Sequence, residues 1–347
     1  MATPKNSDSA RGNRRRTAVM ADVAKLAGVS HQTVSRVVNG SAHVRPETRQ
    51  RVLAAMGQLD YRPNPAARAL VTGRSRTLGV VSFDTTLYGP ASTLFAIEQA
   101  AHDAGYFITI VSLLVLDRAS VLSAVERLRV QGVDGVLVIT PQEAAADALV
   151  NLVTGVPVVA VEAGRPNSVP LVAVDQFAGA VSATQLLLDL GHRTVWHVAG
   201  PRDFLEAQQR VDGWRSTLEA AGAEAPAMLV GDWSPRSGYR VGQQLAQDPD
   251  VTAIFVANDQ MALGVLRALH EHGREIPREI SVVGFDDIPE AQYFMPPLTT
   301  VRQDFGEMGR SSLRMLLELM ESSGQPPQRV TIAPELVVRR STGPPRA

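Results

Sequence analysis

Two groups of residues in this 347-residue chain have the types and spacing to do chemistry. The first is His31, Gln32 and Arg36, with residues 32 and 36 one helical turn apart. A glutamine amide matches the N6/N7 edge of adenine, and a guanidinium matches O6/N7 of guanine, so this face can read bases. The second group follows short apolar runs: Gly200 and Pro201 after HVA, Asn258 and Asp259 after AIFVA, Asp286 and Asp287 after SVVGF. Polar side chains just beyond the carboxyl ends of strands are where an α/β protein holds a small molecule. The motifs of catalysis are missing: there is no Walker P-loop, no GxGxxG after a strand, no G-x-S-x-G elbow and no H-E-x-x-H. His270 and His272 flank Glu271, but at i and i+2 on a helix they point apart. The chain is therefore not expected to be an enzyme or to hold a cofactor or metal.

The base-reading group needs a helix with an apolar back. Met20, Val23, Ala24 and Ala27 fall at helical spacing, Gly28 follows as a stop, and Ser30 can cap a second helix through Val38. In that helix Val34, Val37 and Val38 supply the buried stripe, leaving His31, Gln32, Ser35, Arg36 and Asn39 to point elsewhere. A third helix is predicted from Pro46, burying Val52, Leu53, Met56 and Leu59. This is helix, short turn, helix, and it defines a DNA-binding domain over residues 18–63. Residues 1–17 lack periodic hydrophobicity and read as a disordered basic extension. Asn64 and Pro65 open a further helix of about two turns, too short to form without a partner, so residues 64–76 read as a hinge helix and linker.

Charge divides the chain at the same place. Residues 1–76 carry 14 Lys/Arg against 4 Asp/Glu, a balance of +10, and the remainder carries 20 against 31, or −11. The overall net charge of −1 conceals this. A basic head on an acidic body is the footprint of one domain that neutralises phosphates beside another that does not. Cysteine is absent, which excludes disulfides and thiolate metal sites. No apolar run reaches the roughly 18 to 20 residues of a membrane span, and the polar, basic N-terminus is unlike a signal peptide. A cytoplasmic protein without a membrane partner is expected.

Beyond Thr77, short β-branched runs alternate with longer helical patterns, which predicts parallel sheets in α/β layers. Strands are predicted near 78–82, 107–111, 135–139, 156–161, 194–198, 253–256 and 281–285. A body of this length suggests two similar lobes, taken as residues 77–340, with 341–347 as a tail. The fold class is thus an all-α helix-turn-helix head plus hinge helix, followed by a two-lobed α/β domain.

The run ADVAKLAGVSHQTVSRVVNGSAHVRPETRQRVLAAMGQLDYRPNPAARAL resembles the head and hinge of the lac repressor (LacI/GalR) family nearly position for position. GDWS, VANDQMALG, ISVVGFDD and PPLTTVRQDF carry the resemblance through the body, which is then periplasmic-binding-protein-like. By that resemblance His31, Gln32 and Arg36 read bases, while Ser30, Thr33 and Asn39 support them or contact phosphates. Leu70 wedges between base pairs in the minor groove, where two hinge helices pair in a dimer. In the body Arg210, Asn258 and Asp286 match positions that hydrogen-bond sugar hydroxyls, Trp233 and Phe305 match apolar walls, and Gln303 lies at the pocket edge. Each of three has a plainer role open to it: a core position for Trp233, a surface ion pair for Arg210, a helix N-cap for Asp286.

Departures from the family pattern point to a reshaped pocket. Phe204 and Glu206 stand where the lac branch has small serines, and Tyr88 and Gly89 precede Pro90. Tyr88 and Glu206 therefore join the candidate ligand residues. The resemblance implies a repressor released from a palindromic operator by a small sugar, a galactoside or another β-linked disaccharide. The alternative is a purine-repressor-like regulator whose ligand is a corepressor. The chain stops soon after VVRRSTGPPRA without a leucine-heptad tail, so a homodimer is expected.

Overall fold

The computed structural model describes residues 18–38, 40, 43–62, 73–115, 117–150, 152–162, 169–321 and 329–346. The basic extension, Asn39, residue 63, and residues 64–72 of the hinge with Leu70 lie outside the described residues. The chain divides into two compact units, one ending at Ser75 and one beginning at Arg76.

In the first unit α1 (Met20–Ala27), α2 (His31–Val38) and α3 (Pro46–Gln58) surround one small core. Gly28 ends α1 in the left-handed conformation that glycine adopts without penalty (φ 64°). Ser30 starts α2: its Oγ accepts from Thr33 N at 3.2 Å and lies 2.9 Å from Thr33 Oγ1. Val23, Ala24, Ala27, Val34, Val37, Val52 and Ala55 are buried together, with Met20, Val38, Met56 and Leu59 packed around them. Leu53 departs from expectation, being 52% exposed. The stripe of α3 runs through Val52, Ala55, Met56 and Leu59 at i, i+3, i+4 and i+7, and Leu53 stands one residue, about 100°, off it.

The second unit holds two sheets. The first contains β1 (Thr77–Phe83), β2 (Phe107–Leu113), β3 (Gly135–Ile139), β4 (Val158–Val161) and β5 (Leu171–Val174). The second contains β6 (Trp196–Ala199), β7 (Leu229–Val230), β8 (Ala253–Val256), β9 (Ser281–Asp286) and β10 (Thr299–Arg302). Late in the chain β11 (Arg329–Ile332) returns to the first sheet beside β5, and β12 (Glu335–Val337) to the second beside β10. The orders match: β2-β1-β3-β4-β5-β11 and β7-β6-β8-β9-β10-β12. All pairings are parallel except β10 with β12. Strands β3, β4, β5, β8 and β9 are buried along their whole length, as parallel strands covered by helices on both faces must be.

Helices α4 (Tyr88–Asp103), α5 (Arg118–Val130) and α6 (Glu143–Ala148) belong to the first lobe, and α8 (Leu205–Ala220), α9 (Pro235–Gln247) and α10 (Asp259–Glu271) to the second. Two helices exchange lobes with their strands. After β5 the chain crosses into α7 (Gln176–Asp189), which packs Ala180, Ala183 and Leu187 into the second lobe's core with Trp214 and Phe285. After β10 it crosses back into α11 (Phe305–Glu321), which packs Met308, Leu313 and Leu316 against Leu78 and Val80. The β11–β12 connection is the third crossing. Residues set apart as a tail are held to the second sheet: Ser341 is fully buried and donates to Val282 O at 2.6 Å, and Ser281 Oγ donates to Gly343 O at 2.8 Å.

Five strands escaped the sequence reading: β5, β7, β10, β11 and β12. Their runs are two to four residues long, and β11 and β12 follow crossings between lobes that a local pattern does not announce.

Candidate functional site

On α2 the buried face is made by Val34 and Val37, while His31, Gln32 and Arg36 are exposed and Thr33 and Ser35 are half-buried. The three expected base readers therefore share the open side of one helix, and the Ser30 cap fixes where that helix begins.

In the second unit a cleft of about 390 Å³, part of it open to solvent, lies between the carboxyl ends of the two sheets. The first turn of α4 contributes Tyr88, Gly89 and Pro90, and the end of β3 contributes Pro141. From the second lobe come Phe204, Glu206 and Arg210 at the start of α8, Trp233 before α9, Asn258 before α10, and Asp286 at the end of β9. Gln303 lines it from the crossing into α11. The structure thus brings together Tyr88, Glu206, Arg210, Trp233, Asn258, Asp286 and Gln303. Phe305 is not in the lining; it stands behind Tyr88, the two rings meeting edge to face at 5.8 Å.

Arg210 is the centre of this site. Its side chain is 2% exposed, with the guanidinium carbon 3.8 Å from the Phe285 ring centroid and 5.6 Å from that of Trp233. Nε donates to Gln176 Oε1 at 2.9 Å and Nη1 to the Ala257 carbonyl, and Nη2 lies 3.8 Å from both Glu206 and Asp286. Gln176 donates in turn to Gln303 Oε1 at 2.8 Å, and Gln303 to Asp286 Oδ1 at 2.7 Å. Gln176 and Gln303 sit at two of the crossings between lobes, so this network ties the pocket floor to the segments that join the lobes. Sequence missed Gln176 because it missed β5, the strand that delivers it.

Acidic groups outnumber that one cation. Burial pushes the Asp286 carboxyl up to about 7, overcoming the attraction of Arg210 and the Gln303 hydrogen bond. Burial also raises Glu206 against the pull of Arg210. Glu162, at the end of β4, is 2% exposed and pushed well above the usual carboxylate range by burial, with Glu206 adding repulsion. Its Oε1 accepts from Thr93 Oγ1 at 2.8 Å, and its Oε2 has no hydrogen-bond partner among the described residues. Glu162 carries no motif, and only the fold brings it to this cluster.

Asn258 is partly spent on structure. Its Oδ1 caps α10 by accepting from Met261 N at 2.9 Å, and its Nδ2 donates to the Trp233 carbonyl at 3.1 Å. Trp233 is 8% exposed, held at φ 71°, and edge to face with Phe204 at 5.6 Å; its indole Nε1 has no partner among the described residues. Neither plainer role fits Arg210 or Asp286: the guanidinium is buried, and Asp286 ends a strand.

The indole fits only because residue 200 has no side chain. A Cβ there would stand 2.7 Å from Trp233 Cζ3 and nearer still to Cη2 and Cζ2. Gly200→Ala is therefore expected to displace Trp233 and weaken ligand binding by about tenfold or more while leaving operator binding alone. Calorimetric titration of ligand beside an operator titration checks this, and unchanged ligand affinity would show that the indole does not shape the site.

Comparison with known proteins agrees with this architecture. Residues 19–64 match the model of bacterial regulatory proteins of the lacI family, and residues 184–342 that of the periplasmic binding protein-like domain. The chain is 36% identical over 326 residues to the lactose operon repressor of Escherichia coli (strain K12), covering 92% of this chain and 89% of that one. It is also 36% identical over 347 residues to the HTH-type transcriptional regulator CelR of Thermobifida fusca, covering 94% and 99%. Among solved structures, the lac repressor dimer bound to operator and the anti-inducer ONPF superposes with a TM-score of 0.86 at 33% identity, covering 94% of this chain and all of that one. A complex of the regulator CelR with cellobiose superposes with a TM-score of 0.69 at 32% identity, covering 93% and 99%. With its head, its paired sheets and nearly its whole length matched, this chain belongs to the lacI family of bacterial regulatory proteins and is a transcriptional repressor of that family.

Proposed function

We propose that this repressor binds a palindromic operator as a homodimer and that a saccharide in the interlobe cleft lowers its affinity for that DNA. The observation that carries the reading is the composition of the cleft: aromatic side chains of Tyr88, Phe204 and Trp233 beside the polar groups of Glu206, Arg210, Asn258, Asp286 and Gln303. Aromatic faces suit the C–H side of a pyranose, and paired donors and acceptors suit vicinal hydroxyls. The relatives support it, since one is named for lactose and the other is seen with cellobiose.

In the head, His31, Gln32 and Arg36 read base edges, Ser30, Thr33 and Asn39 position the helix on phosphates, and Leu70 of the hinge wedges into the minor groove. Exposed apolar surface supports self-association: Tyr293 and Met295, the latter 93% exposed, adjoin a groove that includes Leu263, Ile276 and Phe294, and Leu114 stands bare after edge strand β2. Among the described residues no helix is long and apolar enough to cross a membrane.

Release requires differential affinity. The saccharide must bind the lobe arrangement that disfavours DNA better than the one that favours it, and operator must weaken saccharide binding by the same factor. A hinge helix too short to stand alone is the element such a shift would melt. For the head, Arg36→Ala is expected to cost about 1 to 3 kcal/mol at the one base it contacts. Titrating wild type and variant on operators substituted base by base checks this, and an unchanged base preference would remove Arg36 from the reading face.

A further inference from the structure

The polar groups of the cleft are unbalanced in charge. Among the described residues, Glu162, Glu206 and Asp286 gather around one guanidinium, that of Arg210, whose Nε and Nη1 are already given to Gln176 and the Ala257 carbonyl. Its two carboxylate contacts are held at 3.8 Å, beyond hydrogen-bond length. A further acidic group nearby, Asp259, is committed to Thr300 Oγ1 at 2.6 Å and Ile288 N at 2.9 Å, and Asp287 is paired with Arg302 and Arg339. Tyr88 adds a phenol whose ionisation burial opposes. Two buried polar atoms of this region lack partners among the described residues: Oε2 of Glu162, a carboxyl that feels the charges of Glu206, Arg210 and Asp286, and Nε1 of Trp233, which lines the cleft. A site with an excess of acidic groups whose ionisation burial opposes, an orphaned carboxyl oxygen and three aromatic rings is built for a ligand whose positive charge lets those groups ionise.

We propose that the preferred effector carries an ammonium group, so that an amino sugar is bound in preference to the neutral sugar of the same shape. This rests on the cleft being a saccharide site. The ammonium supplies the hydrogen bond that Glu162 Oε2 lacks and neutralises part of the acidic excess, whereas a phosphorylated or carboxylated sugar adds to it.

The test is calorimetric titration of the full chain with matched pairs that differ only by amine for hydroxyl: glucosamine and glucose, galactosamine and galactose, the β-1,4 glucosamine disaccharide and cellobiose. One amine member is expected to bind roughly tenfold or more tighter than its partner. Glu162→Gln is expected to erase that preference while holding the neutral sugar's affinity within about twofold; where it does not fold, Glu206→Gln is expected to erase the preference whatever it does to the neutral sugar's own affinity. A neutral sugar that binds as well as or better than its amine, or an amine preference that survives both substitutions, overturns the charge proposal and leaves the saccharide site standing. Failure of every member to bind overturns both.

Discussion

Arg210→Ala is expected to lose about 3 to 5 kcal/mol of stability above neutral pH, and far less near pH 5. Among the described residues the guanidinium is the one cation beside Glu162, Glu206 and Asp286, and removing one partner from a buried charged set leaves the others uncompensated. Those carboxyls can escape by staying protonated, which makes the penalty depend on pH. Burial already holds Asp286 up to about 7 in the folded protein, against an ordinary 3.8. A group that binds its proton more tightly when folded loses stabilising effect as pH rises from the unfolded value through the folded one. Without Arg210, whose attraction lowers Asp286 and Glu206, that window moves upward. Denaturant titrations of wild type and variant at about pH 5.5 and 8.5 test this, and equal losses at both would mean the carboxylates are not uncompensated. At the permissive pH the variant should still bind operator but not respond to effector, because the binding network from Gln176 to Asp286 has lost its centre. A variant still released by the ligand that releases wild type would refute the site.

Gly264→Ala is expected to destabilise the second lobe by roughly 3 kcal/mol. In an ordinary helix this change would stabilise by up to about 1 kcal/mol, so the sign depends on space. Here the added Cβ would stand 2.5 Å from Tyr239 N and 3.0 Å from Gly238 C, with the Pro235 carbonyl oxygen closer still. These are backbone atoms of α9, which cannot rotate away, and Gly238 in turn lies against the backbone of Met261 in α10. The helices must separate, taking Val241, Leu245, Val265 and Leu269 of the shared core with them. Gly57 of α3 offers the contrast: nothing stands within 4 Å of its missing Cβ, so Gly57→Ala should be neutral or stabilising. Urea midpoints for the two variants are expected to move in opposite directions, and a Gly264→Ala protein as stable as wild type would mean the α9–α10 contact is not closed.

Local chemistry explains what could be read from the chain. Gly28, Ser30 and Pro46 mark helix ends within a few residues, so those ends and the exposed face of α2 could be read, and only Leu53 was assigned to the wrong side. Asn258, Asp286 and Gln303 were legible because each follows an apolar strand or a motif. Glu162, Gln176 and Pro141 were not, since nothing in VVAVEAG or LVAVDQF separates a pocket wall from a strand end until the lobes face each other. The same limit applies to Asn258 and Phe305: residue type gave their location, but not that one is spent on a helix cap and the other stands behind Tyr88.

The central claim is that cleft and DNA-binding head are thermodynamically linked. The direct measurement is fluorescence anisotropy on a palindromic duplex selected by the protein from a randomised pool, with and without a saccharide that raises the melting temperature. Saturating saccharide is expected to weaken operator binding by about tenfold or more. Operator affinity that stays the same with the cleft filled would contradict the linkage, and affinity that tightens would make the ligand a corepressor.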